Sequence, residues 1–391
     1  MALTASLVVN IGMLFVFKYA DWFLTDLTSI SATWAHDLPY FKDGLNLVLP
    51  VGISFYTFQT LSYTIDVYYG RVSAEKNPFK FALFVSYFPQ LVAGPIERFG
   101  RLHHQLFKDQ KLEYHTIRSG IRLMLWGMFI KMCVADNLAP IVDQVFASSS
   151  EASSAQLLSG MMSFSLQIYA EFQGYSLIAI GAARTMGVNL IYNFNAPYFA
   201  RSIREFWSRW HISLSTWFRD YLFIPLGGSR KSNGRIALNI LIVFLISGLW
   251  HGANLTFIAW GGLHGLVYLA QRWITIKGRG LLIQMSQWLL TLLVVCIAWV
   301  FFRSSDVTSA LAYIWRMFNA ESSDLSIVWD PIVLAFAGLF IASDFVLKHG
   351  DLSDWLDRQS FLLRWVTYSF LLYSILGFAG TVNHPFIYFQ F

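Results

Sequence analysis

From Ile236 to Gln271 the chain runs thirty-six residues without one Asp, Glu, Lys or Arg. A lipid-crossing helix needs about twenty predominantly apolar residues. No water is available at that depth, so the backbone must satisfy its own hydrogen bonds, which helices do. The run therefore excludes a soluble globular fold and predicts spans over about 236–250 and 256–271. His251 lies inside it, and a titratable group kept in lipid is a functional-site candidate by default.

The remaining sequence repeats the pattern. It is 56% hydrophobic and 13% charged, against roughly a quarter charged for soluble domains. Further spans are expected at about 5–24, 44–65, 119–139, 157–182, 281–302, 331–347 and 361–380. The chain thus reads as all-α, a polytopic integral membrane protein of about nine transmembrane helices in one membrane-embedded domain over residues 1–391. Phe79 to Pro95 is apolar yet flanked by basic residues on both sides, and it carries Pro89 and the Ala93-Gly94-Pro95 turn. It is expected to be re-entrant and to line a cavity, because irregular backbone at that depth needs cover.

The net charge of +5 falls mainly in loops near 71–80, 98–122, 184–235, 272–279 and 348–364. The positive-inside rule places these in the cytoplasm and places 25–43, 140–156 and 304–330 outside. Nine spans then put the N-terminus inside and the C-terminus outside. Nucleic-acid binding is not needed to explain the charge. Cys133 and Cys296 both sit in apolar stretches and predict neither a disulfide framework nor a cysteine metal site. No basic region precedes the first apolar stretch, and Lys18 and Asp21 stand where a signal-peptide cleavage site would lie, so no cleavable signal is expected.

Between Arg201 and Arg235 seven basic residues are interleaved with aromatics and a second histidine, His211. At helical spacing Trp207, His211, Leu214 and Phe218 share one face. An interfacial aromatic–basic belt helix explains the tryptophans and arginines but does not need His211. Pro225 to Lys231 forms a flexible basic turn in which glycine backbone, Arg230 and Lys231 suit phosphate groups, without the spacing of a Walker loop.

The span from Ile236 reaches His251 after only about 22 Å of helix, less than a bilayer core. His251 is therefore expected at membrane depth, where the helix stops and Gly252-Ala253-Asn254 turns. A neutral imidazole there can act as a general base; a histidine bonded to a neighbouring carbonyl is the alternative. His264 reads as structural. A zinc site from His211, His251 and His264 matches no ligand spacing and lacks a carboxylate, so no metal is expected. Glu171 interrupts an apolar span and must face protein or water, either in a polar acceptor-side cavity or proton path or as a packed, hydrogen-bonded group.

Glu205-Phe206-Trp207-x-Arg209-Trp210-His211-Ile212-Ser213-Leu214-Ser215-x-Trp217-x-Arg219-Asp220-Tyr221-Leu222, with Ile224-Pro225-Leu226-Gly227-Gly228 and Gly248-Leu249-Trp250-His251-Gly252-Ala253, resembles the membrane-bound O-acyltransferase (MBOAT) family. The closest likeness is to its bacterial branch of alginate and polysaccharide O-acetyltransferase membrane subunits. Pro50 to Gln59, Phe88 to Arg98 and Pro385 to Phe391 support it. The usual pattern has Asp at the position of Glu171 and another acidic residue near Leu177, and members usually begin with additional hydrophobic segments.

The resemblance implies helices around a central cavity or tunnel, a catalytic core over 201–271 and an aromatic C-terminal tail over 381–391. His251 then corresponds to the catalytic histidine and His211 to the second active-site histidine. It implies an acyl thioester donor, acetyl-coenzyme A or an acyl carrier protein, and no permanently bound cofactor. Trp207, Arg209, Arg219, Arg230 and Lys231 become donor-binding candidates; Glu171, Asn254 and Tyr388 become acceptor-side or relay candidates. Tyr388 could carry the acyl group to a partner outside, or the tail could simply dock as an aromatic plug. The expected partners are the lipid bilayer, the thioester donor, and an exported polysaccharide or periplasmic acetyltransferase; the expected location is the bacterial inner membrane. A polytopic transporter or flippase of a glycan or lipid intermediate and a non-catalytic scaffold of a secretion complex are the rivals, and neither accounts for two histidines in distinctive motifs.

Overall fold

The computed structural model describes residues 2–24, 47, 50–91, 94–109, 111, 113–273, 280–319 and 329–378, and every regular element among them is helical. In chain order the principal helices are α1 (Ala2–Lys18), α2 (Ile53–Tyr68), α3 (Pro78–Ser86), α4 (Phe99–Leu106), α5 (Tyr114–Ala147), α6 (Ser154–Thr185), α7 (Ile203–Arg209) and α8 (Ile212–Phe218). They continue with α9 (Asn233–His251), α10 (Leu255–Trp273), α11 (Leu281–Arg303), α12 (Val307–Asn319), α13 (Pro331–Val346), α14 (Leu352–Asp357) and α15 (Phe361–Phe378).

The long pair α5 and α6 packs antiparallel, with small residues at the crossing. A Cβ on Gly120 would lie 2.5 Å from the Gly181 carbonyl oxygen, and one on Gly127 would lie 2.6 Å from that of Gly174. Missing side chains let the two backbones touch, as membrane helices commonly do. A Ser153–Gln156 capping box starts α6. Midway along α5 a π turn over Ile130–Ala135 lets Lys131 reach Asp136 at 2.6 Å.

Helices stand at each of the nine predicted spans. Among the described residues four of them, α5, α9, α11 and α15, are long and apolar enough to cross a membrane, and α1 and α13 are apolar but shorter. Length and composition thus mark four of the nine predicted spans among the described residues. In α6 Gln167, Glu171 and Gln173 are all buried; polar groups facing protein lower its apolarity without exposing it to lipid.

One local expectation changes and one segment gains detail. The 304–330 stretch, expected to be a loop, contains α12, which buries Ala310, Tyr313 and Met317 along one face; its amphipathic spacing was overlooked beside the stronger apolar runs. The Phe79–Pro95 segment folds as α3, capped by the Asn77 side chain, then breaks at Tyr87 before a single turn over Phe88–Leu91. Gln90 donates back to the Phe84 carbonyl at 2.8 Å across that break. Residues 92 and 93 lie outside the described set.

Candidate active site

The continuous helix expected through Trp207, His211, Leu214 and Phe218 does not form. Trp210 is extended, and His211 is left-handed at φ 43° and ψ 54°, so α7 and α8 meet at a corner. Such a conformation costs a non-glycine residue roughly 1–2 kcal/mol, and surrounding bonds must hold it. Asn193, fully buried, supplies them. Its carbonyl accepts from Ile212 N at 2.9 Å and its Oδ1 from Ser213 N at 3.3 Å. Asn195 N donates to the Arg209 carbonyl on the other side of the corner.

The corner aims His211 inward. Its ring is wholly buried, edge-on to Phe172 at 4.6 Å and stacked on Phe55 at 6.5 Å between centroids. Neither ring nitrogen has a hydrogen-bond partner among the described residues.

His251 is the last residue of α9, followed by Gly252 in extended conformation, so the helix stops where the sequence placed the break. Its ring is edge-on to Trp250 at 4.9 Å, Trp260 at 5.0 Å and Phe302 at 5.4 Å. His211 lies 6.2 Å from the same Trp250 ring. One tryptophan therefore borders both histidines, and the wall around them is aromatic.

Glycines set how closely α10 backs this site. A Cβ on Gly248 would sit 2.2 Å from the Phe257 carbonyl oxygen, and one on Gly261 would sit 2.2 Å from that of Phe244. Across the site, Lys18 at the end of α1 donates to the carbonyls of Trp250 at 2.8 Å and His251 at 2.9 Å. Tyr19 donates to Leu249 O at 2.8 Å. Lys18 was missed as a site residue; the available signal was a lysine closing an otherwise apolar helix.

The motifs singled out in the sequence converge here. Phe58, from the 50–59 stretch, stacks on Trp250 at 5.3 Å. Ile96 N, from the 88–98 stretch, donates to Ser213 Oγ at 3.0 Å. Glu97 beside it accepts from Ile191 N at 2.6 Å and lies 3.9 Å from Arg101. Burial pushes its carboxyl above the usual range against those interactions.

The donor candidates divide. Trp207 packs on Phe244, Trp260 and His264. Arg209 binds Glu205 at 2.6 Å and the Ala196 carbonyl at 3.2 Å, and Arg219 binds Asp220 at 2.8 Å. Arg209 thereby ties the corner to the Ala196 segment, whereas Arg219 pairs with its chain neighbour and stays more than half exposed. Arg230 and Lys231 are exposed beside Gly227 and Gly228, both at positive φ. Asn239 braces that turn by donating to the Leu226 and Gly228 carbonyls.

On the proposed acceptor side, Glu171 is buried at 3% exposure. It and Asp136 are both within electrostatic range of Tyr175. Asn254 accepts from Thr256 N at 2.9 Å and donates to the Ser305 carbonyl at 2.7 Å, the geometry of a helix cap. Tyr388 and the tail over 381–391 lie outside the described residues. His264 is wholly buried between Trp260 at 5.1 Å and Trp207 at 5.2 Å. Among the described residues no three His, Cys, Asp or Glu side chains converge as a metal site would require.

Comparison with known proteins adds the chemistry these contacts leave open. The sequence model described as MBOAT, membrane-bound O-acyltransferase family, matches residues 73–314. "Probable alginate O-acetylase AlgI" of Azotobacter vinelandii is 40% identical over 321 residues, covering 82% of this chain and 62% of the relative. "Peptidoglycan O-acetyltransferase" of Helicobacter pylori is 39% identical over 353 residues, covering 83% and 66%. "Teichoic acid D-alanyltransferase" of Bacillus subtilis is 28% identical over 239 residues, covering 57% and 58%. The chain thus spans under two thirds of the length of these relatives.

Proposed function

The chain belongs to the membrane-bound O-acyltransferase family, and from that premise we propose that it moves an acyl group, acetyl by subfamily likeness, from a cytoplasmic thioester to hydroxyls of an exported polysaccharide or of a periplasmic relay protein. The observation that carries the reading is the placement of His211 and His251 against one Trp250 ring inside an aromatic, water-poor enclosure. Excluding water protects a thioester from hydrolysis while the acceptor is in place.

In this reading His251 takes the proton from the acceptor hydroxyl as its oxygen attacks the thioester carbonyl. The C–O bond forms, the C–S bond breaks, and the departing thiolate receives the proton back from the imidazolium. Such general-base assistance is worth typically 10²–10⁴-fold. His211, held at the corner by Asn193, positions the donor or stabilises charge on the carbonyl oxygen. Arg230 and Lys231, exposed on a glycine turn, are placed to meet the phosphates of coenzyme A or an acidic carrier protein. Glu171 and the Asn254 turn lie on the acceptor side, and Tyr388 would pass the acyl group to an outside partner. The bacterial inner membrane is the setting this requires.

The relatives' names span acetyl transfer to alginate, acetyl transfer to peptidoglycan and D-alanyl transfer to teichoic acid. What they share is acyl transfer to a surface polymer, and the proposal takes that shared step. The deciding experiment is acetyl transfer by membranes carrying His251→Ala. Loss of transfer with folded protein retained is expected, and unchanged transfer would sink the assignment.

A further inference from the structure

The last turn of α9 ends in a way that leaves its carbonyls to be filled from elsewhere. Helices leave their final carbonyls without intrahelical partners, and many close with a left-handed residue whose N–H turns back. Gly252 instead departs extended, at φ −165° and ψ 157°. Two adjacent side chains from α1 and its C-terminal end take three successive carbonyls: Tyr19 takes Leu249, and Lys18 takes Trp250 and His251.

The Lys18 side chain is committed to this end of α9. Its ammonium also lies 3.5 Å from Ser54 Oγ and 5.9 Å from the centre of the Trp250 ring. An ammonium among apolar helices is costly unless its donors are satisfied. The cheaper course for a lysine at a helix end is to snorkel toward water. Lys18 instead turns to the negative end of a helix dipole, and that helix end is the one carrying His251.

The geometry points to Lys18 as a positioning residue for His251. By holding the carbonyls of Trp250 and His251 it fixes the backbone from which the imidazole projects between Trp250, Trp260 and Phe302. It acts through that backbone and not on the reacting atoms. The inference rests on the reading of His251 as the general base. A plain staple between α1 and α9 is the competing role. Loss of a staple lowers the amount of folded protein, whereas loss of a positioner lowers turnover in protein that still folds and still binds donor.

The test uses the full chain in lipid nanodiscs with acetyl-coenzyme A as donor and excess alginate oligosaccharide as hydroxyl acceptor, following release of free thiol. For Lys18→Met the expected result is kcat lowered by about tenfold or more, since small misplacements of a catalytic group are costly. KM for acetyl-coenzyme A should stay within about twofold, as expected when ground-state binding is kept. Lys18→Arg, which retains charge and donors, should recover most of the lost kcat. Amide exchange over residues 245–251 should quicken by about tenfold in Lys18→Met, a local opening.

Wild-type kcat in folded Lys18→Met, a fall explained by the folded fraction alone, or unchanged exchange over 245–251 would each overturn the inference. If Lys18→Met does not fold, Lys18→Gln is judged by the same criteria. If His251→Ala releases thiol at the wild-type rate, the acyltransferase reading fails separately, and the exchange measurement still decides whether Lys18 orders the end of α9.

Discussion

Trp217 is bound to Phe58 twice. The two rings lie parallel at 3.8 Å with planes 4° apart, and the indole N–H donates to the Phe58 carbonyl at 2.9 Å. This contact ties α8, which begins just after His211, to α2, whose Phe58 also supports Trp250. Trp217→Phe keeps an aromatic ring but loses the hydrogen bond, and should cost about 1 kcal/mol. Trp217→Ala should cost about 3–5 kcal/mol through the cavity it leaves and should reduce transfer as the corner loosens. Thermal unfolding of the two variants in detergent checks the order; equal losses would refute it.

The left-handed backbone at His211 separates its chemistry from its fold. Asparagine tolerates this conformation better than other residues apart from glycine, so His211→Asn should fold at near wild-type yield. Its transfer rate should fall by about 10²-fold or more if the imidazole participates in the reaction. His211→Val, β-branched at positive φ, should lose folded protein as well. Full transfer by the Asn variant would remove His211 from the mechanism.

Gly248 and Gly262 form a matched pair across the α9–α10 contact. A methyl on Gly248 meets the Phe257 carbonyl oxygen at 2.2 Å, whereas one on Gly262 finds only a Leu245 methyl at 3.6 Å. Gly248→Ala should destabilise by about 1–3 kcal/mol through overpacking, and it should depress transfer because His251 lies three residues further along. Gly262→Ala should be neutral or slightly stabilising, since alanine is the better helix former. Melting temperatures of both variants decide this, and comparable losses would contradict the packing described.

Glu97 gives a pH dependence with a definite sign. Burial raises its folded-state pKa despite Arg101 and the Ile191 N–H. The folded chain therefore binds this proton more tightly than the unfolded chain does. Its contribution to stability is present below the unfolded carboxylate pKa of about 4.3 and is lost as pH rises through the folded value. Glu97→Gln removes that dependence. The melting temperature of the variant relative to wild type should rise between about pH 4 and about pH 8, and a falling difference would show that the ionised carboxylate is the favoured form.

Much of the site was legible because lipid makes charge informative. An uncharged run with one histidine marked α9 and its break at Gly252, and the structure ends the helix at His251. The Trp207-to-Phe218 face was misread because periodicity assumes one continuous helix. Asn193 and Asn195 override that continuity: from one upstream loop, Asn193 accepts from Ile212 N and Ser213 N after the corner, and Asn195 N donates to the Arg209 carbonyl before it. Glu205 and Asp220 stand near Arg209 and Arg219 in the sequence, but only the structure shows the bonds between them.

Lys18 is the clearest case of the remainder. In the sequence it is one cation after an apolar stretch, and its distance from His251 along the chain gives no hint of contact. The sequence by itself determined the helical membrane class, the two histidines and the place where α9 stops, because each follows from local apolarity, charge and helix-breaking residues. Only the tertiary structure decided what surrounds those histidines: the left-handed corner at His211, the shared Trp250 and the ammonium of Lys18 on the His251 carbonyl. Those features depend on long-range packing and hydrogen bonds that unite distant segments, and no local pattern records which buried donor will meet which orphaned carbonyl.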